Sequence, residues 1–316
     1  MNQRVWTLAA AVVLALSAIG TVQAQELAYG ITGAIGGVNL VRFNTATPGT
    51  ITSVGPLTGI LPGHFVRAID FRPSTGGLYA LSTNAAGAAT VGQLYYVDLD
   101  TAALTPIGTT FAFGADPGTR VSMDFNPVVD RIRVTSGFNS LNLRLHPDTG
   151  ALIAIDTPLA YAPGDPNVGN NPPLVVGVAY NNNFAGATSS TMFVWDFNLD
   201  VLSSLTNPNT GQMSTIGGPA SFITADGGVG FDISGATGIA YFSYQEDPSG
   251  VETLGIVNLN TGLVTNIGAF GGGVDMLDIS IAIVPEPTTI ALSTIGLGGV
   301  LVASRRRLRL RRRGGR

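Results

Sequence analysis

Between residues 25 and 284 the chain is written in short runs in which apolar and polar side chains take turns, such as "GLYALS", "QLYYVDL", "RIRVTS", "LNLRL", "MFVWDF" and "LGIVNL". A period of two sends successive side chains to opposite faces, so these runs predict β-strands. Gly, Asn, Asp and Pro bound them, and no stretch of the body carries the apolar spacing of a helix.

The strands recur as a unit. One copy runs "AIDFRPSTGGLYALS…GQLYYVDLDTAALTPIG" over residues 68–108, the next "MDFNPVVDRIRVTS…LNLRLHPDTGALIAID" over 123–156. A third, "VAYNNNF…TMFVWDFNLDVLSSLTNPNTGQMSTIG", ends at Gly217, and a fourth, "GFDISGATGIAYFSY…TLGIVNLNTGLVTNIG", at Gly268. A leading partial copy, "VNLVRFNTATPGTITSVG", ends at Gly55 without its opening strand, and "MLDISIAIV" over 276–284 supplies that strand. Equivalent ends are 53, 48, 61 and 51 residues apart. Four strands per unit at a period of about 50 predict the blades of a β-propeller. A unit split between the two ends closes such a ring, because pairing the first and last strands removes an open sheet edge. The expected fold is all-β, a five-bladed propeller. A pair of sandwiches or a β-solenoid is the alternative.

Composition sharpens this picture. The 316 residues hold 42 Gly, 18 Pro, 11% charged residues and no Cys. The missing cysteine excludes disulfides, thiolate metal sites and Cys nucleophiles. Residues 25–284 carry seven arginines against nineteen acidic residues, a net of −12. Such a body does not bind nucleic acid by neutralising phosphates.

The ends break from the pattern. "MNQRVWTLAAAVVLALSAIGTVQAQE" has Arg4, an apolar stretch from Leu8 to Ile19, and small residues at Val22 and Ala24. That order predicts a secretory leader over residues 1–24, cut after Ala24 on Sec export. At the other end, Thr288 to Ser304 is an uncharged 17-residue segment, roughly 26 Å long as a helix at about 1.5 Å per residue. That is marginal for a hydrocarbon core of about 30 Å. Arg305, Arg306, Arg307, Arg309, Arg311, Arg312 and Arg313 follow it, then Arg316. Charge placement keeps such a cluster cytoplasmic and leaves the body outside.

Pro285-Glu286-Pro287, the short apolar segment and the arginine cluster together resemble the PEP-CTERM sorting signal of Gram-negative bacteria. The resemblance covers residues 285–316. It implies recognition by an exosortase, a transient stay in the inner membrane, and release to the cell surface or an extracellular polysaccharide matrix. The phrases "IDFRP…GLYAL", "FNPVVDRIRV" and "NLRLHPDTGA" resemble a bacterial domain-of-unknown-function family of secreted, propeller-like proteins, which implies a fold and no activity.

Little catalytic chemistry is visible. His64 and His146 lie in different units, in "LPGHF" and "RLHPD", and read as turn residues. In "DFNLD", Asp196, Asn198 and Asp200 have the oxygen spacing that opens a calcium loop, but Val201 and Asn207 stand where an EF-hand needs Gly and Glu. With "PDTG", "NLNTG" and "NPNTG", the segment reads as hairpin-turn chemistry, a calcium site being the alternative and no other cofactor being expected. The candidate binding feature is cationic. Arg131 and Arg133 share one strand face, and Arg144 with Asn142 shares one face of the next strand. Paired, these strands form an arginine patch suited to the carboxylate or sulfate groups of an acidic glycan. Ion pairing with Asp124 or Asp130 is the structural alternative. The expected function is a non-enzymatic, exported matrix or surface protein associated with exopolysaccharide or biofilm. The alternatives are an extracellular glycan lyase or hydrolase, or a protein-binding scaffold.

Overall fold

The computed structural model describes residues 25–33, 38–84, 90–220, 223–224 and 229–283. The leader with Ala24, the Pro285-Glu286-Pro287 motif and the arginines from Arg305 to Arg313 lie outside them. Among the described residues no helix is long and apolar enough to cross a membrane.

The strands form five sheets, antiparallel except for one two-residue strand that joins its sheet in parallel. The chain enters blade 1 with β1 (Leu27–Gly33), β2 (Asn39–Asn44) and β3 (Ile51–Pro56). Blade 2 is β4 (Phe65–Phe71), β5 (Leu78–Thr83), β6 (Val91–Val97) and β7 (Leu104–Ala112). Blade 3 is β8 (Val121–Asn126), β9 (Arg131–Ser136), β10 (Asn142–Leu145) and β11 (Leu152–Ile155). A short β12 (Ala160–Tyr161) precedes blade 4, which is β13 (Val175–Tyr180), β14 (Met192–Asp196), β15 (Val201–Leu205) and β16 (Gln212–Ile216). Blade 5 holds β17 (Ile223–Thr224), β18 (Gly230–Ile233), β19 (Ala240–Asp247), β20 (Val251–Val257) and β21 (Val264–Ala269). The last strand, β22 (Asp275–Ile281), returns to pair with β1, Ala28 opposite Ile281 and Gly30 opposite Ile279, and completes blade 1. This is the split blade expected from the sequence.

The innermost strands β22, β4, β8, β13 and β18 run side by side around a central axis and close the ring. Burial follows from that stacking. β5, β13 and β14 are buried along their whole length, because each blade packs a neighbour against both faces. The outer strand β11 keeps simple alternation, intermediate and exposed residues taking turns. Aromatic side chains bridge the seams. Tyr29 meets Phe71 between blades 1 and 2, Tyr79 meets Phe125 between 2 and 3, and Trp195 meets Phe242 between 4 and 5, with centroids 5.6, 5.1 and 4.5 Å apart. Each such pair is worth about 0.5–1.5 kcal/mol beyond its area burial.

The turn chemistry is local. Asn258 Oδ1 accepts from the N–H groups of Asn260 and Thr261, and Gly262 takes φ 72°. In "NPNTG" a short 3₁₀ turn ends on Gly211 at φ 68°. In "PDTG" the glycine does the same at φ 65°, but Asp148 points away from the turn to pair with Arg72.

Candidate functional site

The ring axis carries a feature that the repeat encodes. The opening strand of a unit places an aspartate at the same position: Asp278 in β22, Asp70 in β4, Asp124 in β8 and Asp232 in β18. β13 has Ala179 there. Each of these carboxylates accepts a backbone N–H from the innermost strand of the following blade. Asp278 takes Ile69 at 2.9 Å, Asp70 takes Phe125 at 2.7 Å, Asp124 takes Tyr180 at 3.2 Å, and Asp232 takes Ile281 at 2.6 Å. Ser280 Oγ lies between Asp70 and Asp232, 2.8 and 3.1 Å from them.

All four acids are buried, and carboxylate oxygens of Asp70, Asp124 and Asp232 lie within 4.8 Å of one another. Desolvation raises the pKa of Asp70, Asp124 and Asp278 well above the usual carboxylate range, and like charges add to it. Asp232 is raised to about 6 by desolvation, with the Ile281 N–H and Ser280 hydroxyl pulling the other way. Chemically the cluster can share protons or take a hard cation, since both relieve the crowding of negative charge. The recurring "IDF", "MDF", "FDI" and "LDI" are the signal of these residues in the sequence. Only ring closure brings the four positions to one axis.

The arginine patch lies at the opposite end of the innermost strands from their N-termini, at the seam of blades 3 and 4. Arg131, Arg133 and Arg144 line one cavity of about 290 Å³ with Tyr180, Asn207 and Asn209. Arg133 stands opposite Arg144 in the β9–β10 register. The three residues play different parts. Arg133 is buried, and its Nη1 donates to Asp156 Oδ2 at 2.6 Å and Asn142 Oδ1 at 2.7 Å. Its Nη2 donates to Asn209 Oδ1 at 2.8 Å, and its Nε reaches Tyr180 Oη at 3.4 Å. Arg144 grips the same Asp156 through Nε and Nη2, at 2.7 and 2.9 Å. Arg131 donates to the carbonyl oxygen of Asp130 at 2.7 Å and has no carboxylate partner among the described residues. The partners expected from sequence are occupied elsewhere. Asp124 sits in the axial cluster, and Asp130 is held by Arg72 Nε and Nη2 at 2.9 and 2.5 Å, which lowers its pKa.

The remaining candidates are engaged in their own loops. Asp196 Oδ2 accepts from Tyr161 Oη at 2.7 Å, and its Oδ1 accepts from the N–H groups of Asn198 and Leu174 at 2.9 and 3.3 Å. Asp200 sits at φ 49° and its carbonyl accepts from Ala220 N. His64 Nδ1 is 2.9 Å from Ser82 Oγ, with burial lowering its pKa, and His146 Nδ1 accepts from Asp148 N.

Residues 39–280 match a family described as Domain of unknown function (DUF4394). No curated protein matches the chain. Among solved structures, the chain is similar to a mutant of the GH43 protein BlXynB from Bacillus licheniformis, at 7% identity and TM-score 0.48, over 84% of this chain and 56% of that one. It is also similar to a structural genomics protein of unknown function from Bacteroides thetaiotaomicron, at 14% identity and TM-score 0.45, over 83% and 68%. A chain of the nidogen/laminin complex matches at 11% identity and TM-score 0.43, over 82% and 99%. None of these carries a residue role or an activity across.

Proposed function

Because the chain belongs to the DUF4394 family, whose description carries no activity, we propose its function from its own residues: a non-enzymatic, exported surface or matrix protein that binds the acid groups of extracellular polysaccharide. One observation carries this reading. At the cavity of blades 3 and 4, Arg133 and Arg144 share the single carboxylate of Asp156 while Arg131 lines the same cavity without a carboxylate partner among the described residues, which leaves two positive charges in a body of net −12. Arg144 and Arg131 are the partly exposed members, and a guanidinium presents a planar pair of donors to a carboxylate or sulfate. Delivery rests on the two ends. Residues 1–24 support Sec export, and Pro285-Glu286-Pro287 with the arginines that follow support exosortase cleavage after a transient stay in the inner membrane. A second reading, an extracellular enzyme acting on glycans, is favoured by the convergence of Asp70, Asp124 and Asp232.

The test is co-sedimentation of the full-length protein with its host's own exopolysaccharide, with and without calcium, while released reducing sugars are assayed. Saturable binding without sugar release is expected, weakened at least tenfold in the double variant Arg131→Gln, Arg144→Gln. Unchanged affinity in that variant rejects the cavity, and sugar release replaces the binding protein with the enzyme.

A further inference from the structure

The other end of the ring carries a second set of cations. The N-terminal ends of the innermost strands surround the mouth of the central channel, a pocket of about 230 Å³. Arg67 of β4 and Arg120, one residue before β8, line it beside Ser122 and two aspartates, Asp275 and Asp278. These arginines are held by neutral groups. Arg67 Nε donates to Thr83 Oγ1 at 3.0 Å, and its guanidinium lies 5.3 Å from the centre of the Phe65 ring. Arg120 lies 4.4 Å from the centre of the Phe197 ring.

Neither forms an ion pair among the described residues, whereas Arg72, Arg133 and Arg144 all reach aspartates. The terminal nitrogens of Arg67 have no acceptor among the described residues. Burial lowers its pKa, the mark of a cation stripped of water without a counter-charge. A guanidinium stacked on a ring keeps its in-plane N–H edges for an anion. The acids nearby do not fill that role. Asp278 gives both oxygens to the backbone N–H groups of Ile69 and Ile279, and Asp275 leans toward Gly33 on β1.

We propose that the channel mouth is an anion site that binds the carboxylate of one sugar-acid residue through Arg67 and Arg120. The pocket is smaller than the usual 300–1,000 Å³ of small-molecule sites, which suits one such residue, a chain end or a side group, and not a long oligomer. Phe65 and Phe138, each more than half exposed, flank Arg67 and Arg120 and offer apolar surface to a sugar ring. The site is independent of the cavity of blades 3 and 4, which lies by the C-terminal ends of β8 and β13.

Calorimetric titration of the full-length protein with trigalacturonate, its methyl ester and inorganic sulfate tests the proposal. Trigalacturonate is expected to bind, the ester to bind at least tenfold more weakly, and Arg67→Gln with Arg120→Gln to weaken trigalacturonate at least tenfold. Arg120→Gln alone, which leaves the Arg67–Thr83 hydrogen bond intact, is expected to lose several-fold while keeping the wild-type melting profile. The Arg131→Gln, Arg144→Gln variant should retain binding at the mouth, so failure of the blade 3–4 cavity and failure of this site are told apart. No binding by the wild type, or undiminished binding by Arg120→Gln and by the double variant, overturns the site. Sulfate binding as tightly as trigalacturonate overturns the sugar-acid assignment.

Discussion

Asp156 holds two guanidiniums of unequal burial. The Arg133 side chain is 4% exposed and the Arg144 side chain 31%, and each is within 2.7 Å of the same carboxylate oxygen. Depth decides what each contact is worth. A buried charge that loses its partner keeps its desolvation cost, about 3–5 kcal/mol, whereas a solvent-reached pair contributes about 0–1 kcal/mol. Asp156→Asn is therefore expected to lower stability by about 3–5 kcal/mol and Arg144→Gln by about 1 kcal/mol or less, read from urea unfolding midpoints. Equal losses would mean that Asp156 neutralises Arg133 and Arg144 alike. Alternation along "RIRVTS" and "LNLRL" puts these arginines on facing sides of paired strands, and the β9–β10 register agrees. It gives no hint that Arg133 is sealed under blade 4, since Asn209 and Tyr180 arrive from 76 and 47 residues away.

Two glycines of the outer strands have their reason in the next blade. Gly108 in β7 takes φ 65°, and a Cβ there would stand 1.8 Å from the carbonyl oxygen of Thr149 in the β10–β11 hairpin. Gly217, at the end of the fourth blade's outer strand, meets the Thr261 carbonyl at 1.9 Å in the same way. The "IG" at Gly108 and at Gly217 is thus a blade-to-blade contact with no room for a side chain, whereas at Gly268 a Cβ would meet only Pro48 at 3.6 Å. Gly108→Ala should cost about 1–3 kcal/mol through backbone strain alone, with hairpin displacement added. Gly169→Ala, where a Cβ meets nothing, should stay within about 0.5 kcal/mol. Thermal midpoints of the two variants check this, and a Gly108→Ala protein as stable as wild type would refute the close contact. Strand existence and turn position were legible because period two and Asx-Gly chemistry are local. Burial of both faces of β5, β13 and β14 was not, because a neighbouring blade supplies the second cover.

At the scale of the ring, stability is tied to pH through the axial acids. Asp70, Asp124, Asp232 and Asp278 have raised pKa values, so the folded ring binds protons that the unfolded chain has released. Their favourable contribution is complete below the unfolded pKa near 3.8 and is lost as pH rises, for Asp232 through about 6. Asp130 and Asp148, lowered by Arg72, work in the opposite sense and lose their contribution as pH falls below the usual carboxylate range. Maximum stability is expected in mild acid, with the thermal midpoint falling between pH 5 and 8. Asp232→Asn should flatten that decline and match or exceed wild type above pH 7. Asparagine keeps an acceptor for Ile281 N, and a flip of the Asn183 amide, whose Nδ2 donates to Asp232 Oδ1 in the wild type, turns its unpartnered Oδ1 toward the new amide donor. A wild-type midpoint independent of pH, or a steeper decline in Asp232→Asn, would remove the axial acids as its cause.

The sequence by itself determined the strand period, the repeat of about 50 residues, the split unit that closes the ring, and the turn glycines. All of these depend on residues close in the chain or on equivalence between copies. The tertiary structure decided which equivalent positions become a site. Asp70, Asp124, Asp232 and Asp278 are spread across four of the five units and meet because the innermost strands close around one axis. Arg67 and Arg120 gather at the channel mouth for the same reason. Ring closure turns one position in each blade into neighbours in space, and the spacing within any single blade carries no record of which side chains will face one another across it.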